Sequence, residues 1–138
     1  MASILKVDTL TGVTTAGSIS VTGEGNSTTT NLQQGLAKAW ANLNGTGTIA
    51  LQDSFNCASA VDNGTGSYTY NWSSSLGNAT YAGTCLSQGG GTSNTACYNN
   101  LYFGGMATGS LRVNHFNQAA PGVADTANIS VSADGDLA

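Results

Sequence analysis

The sequence predicts an all-β protein, a single antiparallel β-sandwich of roughly eight strands in two sheets. Two observations carry this prediction. Short runs of residues alternate between apolar and polar side chains, as strands with one buried face do. Turn signals built from Gly and Asn separate these runs at intervals of roughly ten residues, which is the rhythm of an antiparallel sandwich. With 138 residues, the chain is long enough for one domain with its own core.

Composition narrows the classes of function. Charged residues make up 7% of the chain, against roughly 25% in a typical soluble domain. The Lys and Arg residues are Lys6, Lys38 and Arg112 alone, so we expect no nucleic acid partner. Ser, Thr, Asn and Gly together form nearly half of the sequence. Such an uncharged polar surface is typical of β-rich extracellular or particle-borne proteins.

The sequence predicts neither a membrane partner nor export by a secretory signal. No window of about 18 apolar residues is present, so we expect no spanning helix. The opening MASILKVDTL lacks the apolar run and the small-residue cleavage site of a secretory signal.

Residues 1–25 are predicted to form an extended arm, and residues 26–138 the β-sandwich domain. The apolar residues of the arm lie on two short β-prone runs: Ile4, Leu5, Val7, Ile19 and Val21. They carry too little apolar surface for a core of their own, so the arm must pair with a neighbour. Two interpretations stand equal at this point, an attachment arm that binds another protein and an ordinary edge hairpin.

The first strands of the domain follow a short helical turn. We predict this turn near Leu32–Leu36, and then a strand over Ala37–Leu43 with Trp40 on its core face. The motif Asn44-Gly45-Thr46-Gly47 is a hairpin signal and leads into a second strand over Thr48–Asn56.

The stretch Asp53–Ala82 is predicted to be a β-meander that supplies the largest share of the core. After the turn at 62–66, Tyr68, Tyr70 and Trp72 alternate with polar residues, and buried aromatic side chains remove about 150–250 Å² each from water. A further strand over 80–86 carries Tyr81. The predicted core residues are Trp40, Phe55, Tyr70, Trp72, Tyr81, Leu111, Val113 and Ile129.

Three strands, over 96–103, 109–116 and 124–132, are predicted to close the chain. Before them lies the glycine-rich segment Gln88–Thr95. A phosphate-binding loop would need a following Lys-Ser or Lys-Thr pair at the start of a helix. Because both are missing, a flexible loop is the favoured interpretation.

The cysteines and the histidine do not form a recognisable metal site. Cys57, Cys85 and Cys97 contain no Cys-x-x-Cys pair, and His115 is the one histidine, so no zinc site is expected. A Cys85–Cys97 bridge is geometrically possible, but three small buried thiols are favoured. For His115 we predict a structural role, with its ring satisfied by a neighbouring backbone group or facing a symmetry axis.

We predict no enzyme activity and no cofactor, because the sequence contains no nucleophile motif, metal cluster or evident acid pair. The rival from another class is a glycan-degrading depolymerase. That activity would need two carboxylates about 5–10 Å apart in a groove, and Asp53 and Asp62 are the pair to inspect.

Three segments taken together carry a family resemblance: MASILKVDTL, GLAKAWANLNGTGTIALQDSFN at 35–56 and DNGTGSYTYNWSSSLGNATYAG at 62–83. The combination resembles short accessory proteins of tailed bacteriophages, notably those of cyanobacterial and marine phages, and it covers most of residues 1–86. The resemblance implies a homotrimeric, jelly-roll-like β-sandwich without enzymatic activity. Such domains occur as capsid cement and at the tips of tail fibres or tailspikes. The chain has no long shaft and no heptads, which favours a compact capsid knob.

The expected function is therefore that of a trimeric capsid cement or decoration protein that stabilises the head shell. Its partner is the major capsid protein, which the arm residues Ile4, Leu5, Val7, Ile19 and Val21 would contact. The protein is expected on the outer capsid surface after synthesis in the host cytoplasm. Contact of its outer loops with host cell-surface glycans is a secondary expectation. The alternative is the receptor-binding tip of a tail fibre or tailspike.

Overall fold

A computed structural model describes six ranges of the chain, with the backbone alone at 97–104 and 117: residues 4–13, 19–23, 28–32, 35–88, 97–117 and 122–137. The chain forms two compact units, Met1–Leu36 and Ala37–Ala138. The sequence places the boundary between residues 25 and 26. In the structure, the strand that follows residue 25 pairs within the first unit, and the division comes after Leu36.

The described part of the first unit contains one small hairpin. Strand β1 (Ser20–Thr22) pairs antiparallel with β2 (Thr29–Asn31). A single turn follows, in which Gly35 N donates to Asn31 O at 3.2 Å, in agreement with the predicted helical turn near Leu32–Leu36. Because a two-stranded hairpin is at best marginally stable in water, this unit has little stability of its own.

The described part of the second unit contains nine strands: β3 (Ala39–Asn44), β4 (Ala50–Phe55), β5 (Cys57–Asp62), β6 (Ser67–Trp72), β7 (Ala82–Ser87), β8 (Cys97–Ala107), β9 (Ser110–Asn117), β10 (Gly122–Val123) and β11 (Ile129–Asp134). All their pairings are antiparallel. The predicted all-β class is confirmed. Among the described residues, no helix is long and apolar enough to cross a membrane.

Two sheets form the second unit. One has the strand order β4-β3-β11-β7. In the other, β5 pairs with β6, β6 with β9, and β9 also pairs with β8 and β10. Residues from both sheets contribute to one hydrophobic core, which is the arrangement of a β-sandwich.

Two details of the predicted topology are wrong. The stretch Asp53–Ala82 is not a meander, because β7 leaves β6 and pairs with β11 in the other sheet. The strand order is also not that of a jelly roll, in which successive strands mostly alternate between the sheets. Here β3–β4, β5–β6 and β8–β9 are each a hairpin whose two strands belong to the same sheet, because a short turn connects them.

The aromatic residues of β6 form the centre of the core. Tyr68 and Tyr70 are fully buried and Trp72 is 7% exposed, so the alternation in this strand is confirmed. Tyr81, Leu111, Val113 and Ile129 are also buried as predicted. Small side chains of the facing sheet, including Ala39, Ala41 and Ala133, leave room for the large rings.

Two of the predicted core residues, Trp40 and Phe55, are instead on the outer face, with exposures of 38% and 52%. In β3 the buried set is Ala39, Ala41 and Leu43, so Trp40 has the opposite parity. In β4 the pairing with β3 contains a register shift: Leu51 pairs with Leu43, but Asp53 pairs with Asn42. Gln52 is therefore an extra residue between these two pairs. Such a bulge exchanges the faces to which the following side chains point. Phe55 therefore points outward instead of into the core.

The second unit has two distinct ends. Its chain enters at Lys38, whose N–H donates to Ala133 O at 2.9 Å, and the last described residues lie at the same end, where Leu137 pairs with Leu76. At the opposite end, turns bring Gly45 and Gly66 close to residues 124–126. We call these the entry end and the turn end.

Candidate functional surfaces

The arm residues predicted for attachment are largely exposed. Ile4 and Leu5 are 77% and 79% exposed, and Val7 and Val21 are more than half exposed. Ile19 is half-buried, and its carbonyl accepts a hydrogen bond from Leu32 N at 2.9 Å. Leu10 and Val13, which the prediction omitted, extend the exposed apolar surface of this unit.

A hydrogen-bonded cluster closes the turn end of the sandwich. The Tyr68 hydroxyl donates to Asp125 Oδ1 at 2.6 Å and lies 2.9 Å from Gly45 O, while Gly66 N donates to the same carboxylate oxygen at 2.7 Å. Burial, and then the adjacent Asp125 carboxylate, raise the pKa of Tyr68 far above its usual value. The cluster therefore joins three segments through a neutral phenol and one carboxylate.

His115 lies beside this cluster and joins the two sheets. Its Nδ1 shares a hydrogen bond of 2.9 Å with Ser87 Oγ, so it links β9 to β7. The Ser87 hydroxyl is thus one partner of the His115 ring, for which a structural role was predicted. Ser87, His115 and nearby Asp125 are residue types of a hydrolytic triad. His115 is only 1% exposed.

Acidification is expected to destabilise the fold through His115. Burial lowers the pKa of His115, and the nearby Asp125 opposes this shift. An unfolded chain takes up the His proton near pH 6.5, whereas the folded protein does so only at lower pH. Between these pH values the unfolded state binds more protons, so the free energy of unfolding falls as the pH falls. Urea unfolding at a series of pH values measures this loss.

A His115→Asn variant is the control for that experiment, because its amide keeps a hydrogen-bonding atom near Ser87 but does not titrate. Its free energy of unfolding should depend less steeply on pH just below the usual histidine pKa. Equal slopes for the two proteins would contradict the assignment.

Two thiols belong to the interior. Cys57 is buried, Cys85 is half-buried, and both are free. Burial raises the pKa of Cys85 to about 12 and also raises that of Cys57. The side chain of Cys97 lies outside the described residues, as does most of the glycine-rich segment Gln88–Thr95.

The acids considered for catalysis are in different sheets. Asp53 lies in β4 and accepts from Ser54 N, whereas Asp62 ends β5 and accepts from Gly64 N, each at 2.8 Å. Within the described ranges, no three His, Cys, Asp or Glu residues are placed to hold a metal ion.

The outer face of the four-stranded sheet carries an exposed aromatic pair. Trp40 and Phe55 lie directly opposite each other on β3 and β4, a position in which Cβ atoms are about 4.5–5.5 Å apart. The same row continues with Ser132 on β11 and Thr84 on β7, which share a side-chain hydrogen bond of 2.7 Å.

The next row of this face is mainly polar. Asp53, Asn42 and Ser130 lie side by side across three strands, and Asn42 Nδ2 donates to Ser130 Oγ at 3.3 Å. Leu86 follows on β7 and is 74% exposed. We call these two rows the platform. Sequence reasoning missed it, although the shared parity of Ala39, Ala41 and Leu43 was a signal that Trp40 faces outward.

Comparison with protein-family models, curated proteins and solved structures finds no match to this chain. Fold and surface chemistry are therefore the basis for a functional proposal.

Proposed function

We propose that this chain is a non-enzymatic phage virion protein that decorates the capsid as a homotrimer, with residues 1–25 as its attachment arm. The observation that carries the proposal is the uncovered apolar surface of the first unit. Ile4, Leu5 and Val7 are all more than half exposed, on a unit whose paired strands have three residues each. An apolar segment that cannot form its own core requires a partner.

The energetics suit attachment to a repeating shell. Each aliphatic side chain that becomes buried contributes roughly 1.5–3 kcal/mol before ordering costs. A trimer would present three arms together, so individually weak contacts would act at a high effective concentration. The proposal of a phage shell as the partner rests on the resemblance predicted from the sequence over most of residues 1–86.

The geometry of the second unit is compatible with this role. Lys38, where the chain enters, and Leu137, the last described residue, both lie at the entry end. The turn end is therefore the end of this unit opposite to the residue at which the chain enters it. Its hydrogen bonds from Tyr68 and Gly66 to Asp125 would hold the exposed loops in place.

Deletion of residues 1–22 is expected to abolish decoration while leaving the second unit folded. The reason is that the core consists entirely of residues of Ala37–Ala138. The measurement is addition of the purified protein to undecorated capsids, followed by electron microscopy and copy counting. Light scattering checks that the truncated protein still has the mass of three of its shortened chains.

A matched pair of variants sharpens this test. One replaces Ile4, Leu5 and Val7 by serine in the full chain. The other replaces Val61 and Val123, which are each 45% exposed on the sandwich, so that apolar surface is lost elsewhere. Only the variant with serines at Ile4, Leu5 and Val7 should lose capsid binding. Equal binding by the two variants would refute the attachment role of the arm.

The alternative is the receptor-binding tip of a tail fibre or tailspike, and the exposed pair Trp40 and Phe55 favours it. Copy number separates the two. Copies spread over the whole shell would support the decoration protein. A few copies at one vertex would contradict it and support the receptor-binding tip.

A further inference from the structure

The platform has the chemistry of a carbohydrate-binding surface. Trp40 and Phe55 are exposed aromatic residues opposite each other on neighbouring strands, and hydroxyl, amide and carboxylate groups lie beside them on Ser132, Asn42 and Asp53. Sugar-binding surfaces need this combination, because a pyranose ring has an apolar C–H face that packs on aromatic rings and hydroxyl groups at its rim that need hydrogen-bond partners.

The outer face of the four-stranded sheet, on which the platform lies, has the dimensions of a short oligosaccharide. Four strands spaced about 4.8 Å apart and six residues long give a face of roughly 15 by 20 Å. An area of this size suits a short oligosaccharide.

Charge narrows the class of sugar. Asp53 and Asp134 are exposed on the outward side of this sheet, and none of its strands contains a Lys or Arg. The whole chain carries a net charge of −4. Carboxylates accept hydrogen bonds from sugar hydroxyls but repel sugars that carry carboxylate, sulfate or phosphate groups.

We propose that the platform around Trp40 and Phe55 binds a neutral oligosaccharide. This site belongs to the sandwich unit alone, so it does not depend on the proposed capsid role. The sugar rings lie across Trp40 and Phe55, and their hydroxyl groups extend over Asn42, Ser130 and Asp53.

The two tryptophans allow a direct test. Trp40 is 38% exposed, whereas Trp72 is 7% exposed within the core, so a ligand on the platform changes the fluorescence of Trp40 alone. Cellohexaose, mannohexaose and chitohexaose serve as neutral probes, and a galacturonic acid oligomer of equal length is the acidic comparison. We expect a saturable blue shift with at least one neutral probe and none with the acidic one.

Three variants make the test specific. Trp40→Ala and Phe55→Thr should each weaken binding of the responding probe at least about tenfold, as measured by calorimetry because the first variant removes the fluorophore. Val61→Ser, on the other sheet, should bind as the unchanged protein does. Phe55→Thr keeps a residue type that favours strands, so it tests the proposal even if Trp40→Ala does not fold.

Three results would overturn the proposal. The first is the absence of saturable binding of every neutral probe at millimolar concentration. The second is unchanged affinity in both Trp40→Ala and Phe55→Thr. The third is loss of oligomers by light scattering in these variants, which would show that a second copy of the chain covers the platform. The first two results do not bear on capsid attachment, and the role of the arm in attachment is tested separately by deletion of residues 1–22.

Discussion

Replacement of Gly66 by alanine is expected to lower the free energy of unfolding by more than about 4 kcal/mol. Gly66 has a φ of +65°, a conformation that costs an L-residue about 1–2 kcal/mol. A Cβ at this position would also lie 2.6 Å from Ala124 N, 2.7 Å from His115 O and 2.8 Å from Ala124 O. These are backbone atoms, so the sheet itself would have to move.

Gly47 offers a matched control for this prediction. Its φ of +64° is nearly the same, but a Cβ there would have no atom within 4 Å. Gly47→Ala should therefore show the conformational cost alone, about 1–2 kcal/mol. Urea unfolding of both variants measures the difference. Similar losses would mean that residues around Gly66 relax freely, contrary to the tight closure of the turn end.

The sequence predicted those parts of the fold that depend on local pattern. The alternation in β6 places Tyr68, Tyr70 and Trp72 on one face, and the structure buries all three. Gly64 and Gly66, in the predicted turn at 62–66, both have positive φ. These features are encoded by neighbouring residues and need no knowledge of the partner strands.

The errors come from features that only pairing defines. The single extra residue at Gln52 reverses the parity of β4, and no residue type marks a bulge there in the sequence. Which face of β3 is buried was ambiguous because alanines alternate with Trp40, and a large aromatic side chain would bury more area than an alanine. Both errors concern the platform, and they are the reason that it was missed from sequence.

The turn-end cluster was invisible to sequence reasoning for a related reason. Tyr68 and Asp125 are 57 residues apart in the chain, and they meet only in the folded protein, where β10 and β11 flank Asp125. The exposed apolar residues of the arm were, by contrast, evident from the sequence. Their role as an attachment element stays a prediction until decoration is measured.

Substitution of Asn56 is expected to open the corner at which the chain passes from one sheet to the other. Asn56 lies between β4 and β5 and has a φ of +54°. Its Nδ2 donates to Lys38 O and to Ser74 O at 3.0 Å, and its Oδ1 accepts from Ser74 N at 2.7 Å. One side chain thus fixes the entry strand and the segment after β6 to the same corner.

A graded series separates the two contributions of Asn56. Asn56→Gly keeps the left-handed backbone but loses three hydrogen bonds, which contribute about 0.5–1.5 kcal/mol each, so a loss of about 2 kcal/mol is expected. Asn56→Ala adds the cost of positive φ, which raises the loss to about 3 kcal/mol or more. Asn78→Ala is the control, because its Oδ1 bonds only to Thr80, two residues away. If chemical denaturation shows Asn56→Ala to be no less stable than Asn78→Ala, the corner is held by its strands rather than by this side chain.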